Sequence, residues 1–150
     1  MKAGKEVLLK AVVQAIQTFA MSCFRLPIGL CQDIKMLIRK FWWGQRGDRR
    51  KIHWKKWEVL CKPKLEGGLA FKDLCKFNEV MLAKQVWWLL HDTGSLFYRV
   101  FKSKYFLNYS LFEAKSSSGS FAWKSILWAR HLIEKRARWR VGDGQSIKIF

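Results

Sequence analysis

Phe41-Trp42-Trp43-Gly44-Gln45-Arg46-Gly47-Asp48-Arg49-Arg50-Lys51-Ile52-His53-Trp54-Lys55-Lys56-Trp57 sets four tryptophans beside six cations and a single acid, Asp48. Indole faces can stack on bases, and Arg or Lys can meet phosphates. The same residues also suit the seam between a buried apolar face and a solvated basic one. The choice separates a nucleic-acid module from a basic helical domain. Trp54 and Trp57 are three apart, which places them on one helical face and favours core, whereas the cations favour phosphate contact. With the tryptophans shared between core and surface, the candidate nucleic-acid-binding residues are Arg46, Arg49, Arg50, Lys51, Trp54, Lys55 and Lys56.

On the N-terminal side of this stretch, Pro27 suits the start of a helix and Gly44 its end, predicting a helix over Ile28–Trp43 that buries Leu30, Ile34, Leu37, Ile38 and Phe41. Before it, Glu6–Met21 carries Leu8, Leu9, Val12, Val13, Ile16, Phe19 and Ala20 at helical spacing, with Lys5, Lys10, Gln14 and Gln17 mostly opposite. Beyond it, Gln45–Arg50 reads as a polar loop, Lys51–Trp54 as a short extended piece and Trp54–Cys61 as a short helix broken by Pro63. Glu66-Gly67-Gly68 reads as a turn, and Leu69-Ala70-Phe71 as either a single strand or a docking turn. Helical patterns return over Asn78–His91, Leu96–Phe106 and Phe121–Arg136, with Ser116–Ser120 as a flexible surface loop. The tail changes period: Trp139, Val141, Ile147 and Ile149 alternate with cations around Gly142-Asp143-Gly144, the pattern of a β-hairpin. A hairpin ending at Phe150 is marginal alone, so this end reads as cut from something larger.

The fold class expected is therefore mainly α, a helical bundle with a short extended segment near 68–71 and a C-terminal β-hairpin. Three units are expected: a helical segment over 1–61, a helical connector over 62–115, and the last helix plus truncated hairpin over 116–150.

Composition sets the outer bounds. In 150 residues, 29 Lys and Arg face 11 Asp and Glu, for a net charge of +18, while half the chain is apolar. That is too apolar for disorder, and a charge excess of that size implies a polyanionic partner, RNA or DNA before a membrane surface. Between Arg46 and Lys64, eight cations outnumber two acids, Asp48 and Glu58. Arg130–Arg140 is a second basic run. Cys23, Cys31, Cys61 and Cys75 form no closely spaced pair, which points to free buried thiols and no metal. His53, His91 and His131 are isolated and suit capping or packing. No two acids adjoin to share metal ions, no serine stands in a nucleophile elbow, and Gly67-Gly68 lacks the lysine of a phosphate loop. No catalytic residue and no cofactor is expected. No apolar run reaches membrane-spanning length, and Lys10, Gln14 and Gln17 interrupt any signal-like segment, so an intracellular protein, nuclear or cytoplasmic, is expected.

Several segments together resemble one family. They are Lys2-Ala3-Gly4-Lys5-Glu6-Val7-Leu8, Thr18-Phe19-Ala20-Met21-Ser22-Cys23-Phe24, Phe41-Trp42-Trp43-Gly44, Lys51-Ile52-His53-Trp54, Trp57-Glu58, Leu60-Cys61, Pro63-Lys64 and Glu66-Gly67-Gly68-Leu69. Leu82-Ala83-Lys84-Gln85 and Arg138-Trp139-Arg140-Val141-Gly142-Asp143-Gly144 complete the series. In that order they resemble plant LINE-type non-LTR retrotransposon reverse transcriptases, in the region after the catalytic palm. The resemblance implies a thumb-like bundle over 1–61 and a connector that leads toward a Cys/His-rich segment and an RNase H domain. It implies a grip on template and primer, an RNA–DNA hybrid in the parent family, and a separate palm chain as a possible partner. It also places both chain ends inside the family's pattern. Gln17 stands where that family has proline, and Ala70 where it has a third glycine. The Tyr/Phe-x-Asp-Asp motif is absent, so the chain is expected to be a non-catalytic fragment. The alternative is a degenerate retroelement-derived reading frame with no selected function.

Overall fold

Regular structure is entirely helical among the residues that the computed structural model describes, 2–16, 18–44, 52–115 and 119–138. The expected hairpin over 139–150, the polar loop over 45–50 and Lys51, the first residue of the expected extended piece, lie outside these residues. Helices α1 (Lys2–Leu8), α2 (Gln14–Ile16) and α3 (Thr18–Cys23) share the N-terminal stretch, with a π-helical turn, Leu9–Val13, between α1 and α2. Then come α4 (Ile28–Trp43), α5 (Trp57–Cys61), a 3₁₀ turn at Lys64–Glu66, α6 (Leu74–His91), α7 (Leu96–Tyr105) and α8 (Phe121–Arg136).

The π turn changes which face of the first stretch is buried. Each π turn inserts one residue beyond the α repeat and rotates the helix on its C-terminal side by roughly 100°. Leu9 and Met21 are buried, but Leu8, Val12 and Phe19, expected inside, are exposed, and Gln14, expected on the wet face, is buried. Helix α4 has the predicted ends: Pro27 precedes it, and Gly44 closes it in the left-handed conformation (φ +70°), its N–H returning to the carbonyls of Lys40 and Phe41. Its buried stripe is rotated from the expected one. Cys31, Ile38 and Trp42 are inside, with Ile34 packed against them, while Leu30, Leu37 and Phe41 are exposed. The helix is apolar around much of its circumference, and only one side is covered.

Helix α6 is the central beam. Asp73 caps it by accepting from the N–H groups of Cys75 (3.1 Å) and Lys76 (3.4 Å), so it begins before the expected Asn78. Its first turns join a core with Met21 and Cys31 through Leu74. Its later turns place Val86 and Leu89 in a second core with Phe106, Leu111, Trp123 and Ile126. Trp123 lies between Tyr105 and Phe106, both parallel to it within 6°, at 4.6 and 5.7 Å. Serines cap α7 and α8: Ser95 accepts from Tyr98 N–H, and Ser120 accepts from Trp123 N–H. Ser120 ends the expected flexible loop over 116–120, of which 116–118 lie outside the described residues.

Asn78 ties the N-terminal helices to this beam. It is 3% exposed. Its amide donates to the carbonyls of Met21 and Phe24 (both 2.8 Å), and its oxygen accepts from Leu26 N–H (2.9 Å). The end of a helix leaves its last carbonyls without intrahelical donors, and Asn78 supplies them for α3.

Candidate nucleic-acid interface

The scaffold for the candidate site begins at the end of α5. Pro63 stops that helix as expected, and the chain turns back through Gly67 and Gly68. Leu69 and Phe71 N–H groups then reach Leu60 O (2.9 and 3.3 Å), and Ala70 N–H reaches Lys62 O (2.8 Å). The 68–71 segment is thus the docking turn of the two alternatives. It satisfies the end of α5 and forms no strand ladder. A Cβ on Gly68 would sit 2.0 Å from Lys62 O, so only glycine permits this approach. The turn delivers Phe71 into a core of aromatic rings: Trp57 stacks on it at 5.8 Å, and Trp42 meets it edge-on at 5.6 Å.

This core separates the two tryptophans that the sequence paired. Trp57 is 3% exposed, whereas Trp54 is 76% exposed. The helix starts at Trp57, so the three-residue spacing never becomes a shared helical face, and core burial of Trp54 is overturned. Trp54 has an anchored ring on either side in sequence: His53 stacks on Trp43 (6.1 Å, 18° between planes) before it, and Trp57 is buried against Phe71 after it. Ile52 and Trp54 are exposed, and so are Lys55 and Lys56. Lys55 Nζ donates to Gly67 O at 3.2 Å, which holds its ammonium over the turn.

Of the other candidates, Arg46, Arg49, Arg50 and Lys51 lie outside the described residues. Further cations in the basic stretch have protein partners. Lys62 pairs with Glu66 (3.9 Å), and Lys64 and Lys10 both reach Glu6 Oε1 at 2.9 Å. Glu6 is held below the usual carboxylate range by those hydrogen bonds, Lys10 first and Lys64 second. Glu58 is lowered too, by its own backbone N–H and then by Lys35 at 3.3 Å. In the second basic run Arg130 is structural: its guanidinium donates to the carbonyls of Leu111 (3.1 Å) and Ala114 (3.0 Å) and pairs with Glu134 (3.1 Å). Lys135, Arg136 and Arg138 are exposed.

The histidines pack. His91 stacks on Trp87 at 3.7 Å, and His131 lies between Trp128 O (2.8 Å) and Glu79 (2.9 Å). Among the described residues no group of three His, Cys, Asp or Glu converges as a metal site would, and no helix is long and apolar enough to cross a membrane. All four cysteines are free, but only Cys31 is fully buried; Cys75 is exposed, against the expectation of buried thiols.

Sequence reasoning missed Asn78 as a working position and singled out Ala70 only through the family resemblance. Ala70 adopts φ +52°, the one left-handed non-glycine residue among those described, at the place where the family resemblance sets a glycine. That mismatch was the available signal.

Two relatives are similar to this chain over most of its length. An uncharacterized mitochondrial protein of Arabidopsis thaliana, AtMg00310, is 38% identical over 138 residues, which cover 91% of this chain and 90% of the relative. A putative ribonuclease H protein of the same plant, At1g65750, is 32% identical over 152 residues, which take in 99% of this chain but only 24% of that protein. No family model and no solved structure matches the chain.

Proposed function

The chain belongs to one family with the uncharacterized Arabidopsis mitochondrial protein, and from that premise we propose that it is a retroelement-derived nucleic-acid-binding fragment. In this reading it corresponds to the thumb and connector of a non-LTR reverse transcriptase and has no catalytic activity of its own. The similarity to a short part of a putative ribonuclease H protein supports a place within a larger nucleic-acid-processing chain.

The observation that carries the proposal is Trp54, 76% exposed between the stacked His53 and the buried Trp57, with Lys55 and Lys56 exposed beside it. An exposed indole can stack on a base, and neighbouring ammonium groups can hold the phosphates on either side. Arg46, Arg49, Arg50 and Lys51 immediately precede this platform in sequence and extend its charge. Template–primer duplex or single strands are the ligands, gripped through the backbone and base faces without sequence readout.

Fluorescence anisotropy with labelled RNA, DNA and RNA–DNA hybrid across a salt series tests this. If the six cations each neutralise one phosphate on a duplex, log affinity falls against log salt with a slope of about −5. A flat salt response would sink the proposal.

One observation favours a second reading, a degenerate reading frame without selected function. Large apolar side chains stand in solvent at Leu65 (102% exposed), Phe19 and Leu96. Heating the purified chain discriminates: a single cooperative transition counts against degeneracy, and a broad, featureless melt counts for it.

A further inference from the structure

Two thiols far apart in sequence line one cleft between α4 and the start of α6. Cys31 is 3% exposed and packs with Met21 and Leu74. Cys75, the second residue of α6, is exposed. Both line one open cleft with Trp57, Asp73, Lys35 and Lys76, and Cys31 packs against Leu74, the chain neighbour of Cys75. Burial, then the neighbouring Cys75, pushes the Cys31 thiol up to about 12, which leaves the exposed Cys75 as the first of the two to react. The other two cysteines lack such a partner among the described residues. Cys61 is pushed up to about 11, chiefly by burial, and Cys23 has only Ser22 Oγ, at 3.7 Å, beside its sulfur.

The geometry points to Cys31 and Cys75 as a dithiol modification site that reacts with low-molecular-weight disulfides, Cys75 attacking first and Cys31 resolving. Oxidised glutathione is the model substrate. The exposed Cys75 thiolate attacks one glutathione sulfur, the S–S bond breaks, and one glutathione leaves as a thiolate that takes up the proton Cys75 released. Cys31 then gives its proton to solvent and attacks the Cys75 sulfur of the mixed disulfide. The second glutathione leaves and is protonated. Two protein thiols are oxidised, and one glutathione disulfide is reduced to two thiols.

The position of the bond sets its consequence. A Cys31–Cys75 link closes a loop that contains the aromatic core of Trp42, Trp57 and Phe71 together with the exposed Trp54. For a loop of this length the constraint on the unfolded chain raises the folding equilibrium constant by roughly a hundred- to a thousandfold.

The test is to incubate the purified 150-residue chain with excess oxidised glutathione and to map peptides by mass spectrometry without reduction. The expected product is a Cys31–Cys75 linked peptide pair lacking two hydrogens, together with a urea midpoint that rises and falls back on adding dithiothreitol. Cys31→Ser should stop the reaction at a stable glutathione adduct on Cys75, and Cys75→Ser should leave Cys31 unmodified. Accumulation of the Cys75 adduct in the natural chain without linkage overturns the assignment, as does equal modification of Cys23 and Cys61. The linked peptide and the reversible midpoint are read on the natural chain, so a variant that fails to fold does not protect the proposal.

Discussion

Replacing Asn78 with leucine keeps the side chain's size but removes its one acceptor and both of its donors. Three backbone groups lose their partner: Met21 O in a buried contact, and Phe24 O and Leu26 N–H in partly buried ones. A buried group left unsatisfied costs about 1–3 kcal/mol, and partly buried groups recover some of that from water. Taking about 2 kcal/mol for Met21 O and about 1 for each of the others gives a loss of about 4 kcal/mol. That is a large fraction of the 5–15 kcal/mol typical of a domain. Urea denaturation, followed by tryptophan fluorescence and by circular dichroism, measures it directly. The N-terminal helices should loosen first, because Asn78 is their polar tie to α6. A loss under about 1 kcal/mol, with both probes still coincident, would refute the reasoning that Asn78 supplies the missing donors of α3.

The turn and the basic runs are open to similar perturbation. Ala70→Gly should stabilise the chain by about 0.5–1 kcal/mol, since the left-handed conformation at φ +52° strains alanine more than glycine's extra unfolded-state freedom costs. Gly68→Ala should destabilise by about 3 kcal/mol in a urea titration, because the new Cβ would meet Lys62 O at 2.0 Å. Arg130→Met should cost about 2 kcal/mol through the lost carbonyl contacts at Leu111 and Ala114, yet leave the salt slope of nucleic-acid binding unchanged. A primer-extension assay on the purified chain should show no incorporation, and incorporation would overturn the non-catalytic reading.

Features set by local chemistry were legible in the sequence. Pro27 and Gly44 mark both ends of α4, and the apolar spacing from Phe121 to Arg136 gives α8 its observed bounds. Asp73 is an equally local signal for the start of α6, but the apolar pattern drew attention to Asn78 instead. What could not be read depends on contacts across the chain. The π turn at Leu9–Val13 rotates the first stretch and buries Gln14, and no residue type announces such a turn. Leu37 and Phe41 look like core in α4, but the helices packed against it cover a different side. At the candidate site the spacing of Trp54 and Trp57 suggested one fate for both. The late start of α5 gives them opposite ones, and this places an aromatic platform in solvent. Arg130 opens the second basic run in the sequence, and only the fold shows the two carbonyls that occupy it.

The central claim is that Trp54 is the stacking platform of a nucleic-acid grip, and a matched pair of variants tests it most directly. Trp87, on α6, is also half-exposed but stacks on His91. Binding of a labelled single-stranded RNA by the natural chain, Trp54→Ala and Trp87→Ala should be compared at one fixed salt concentration. Loss of a base–aromatic stack costs about 1–3 kcal/mol, so Trp54→Ala should weaken binding by roughly 5- to 150-fold while Trp87→Ala stays near the natural chain. Equal affinity for all three proteins would contradict the account, as would a loss confined to Trp87→Ala.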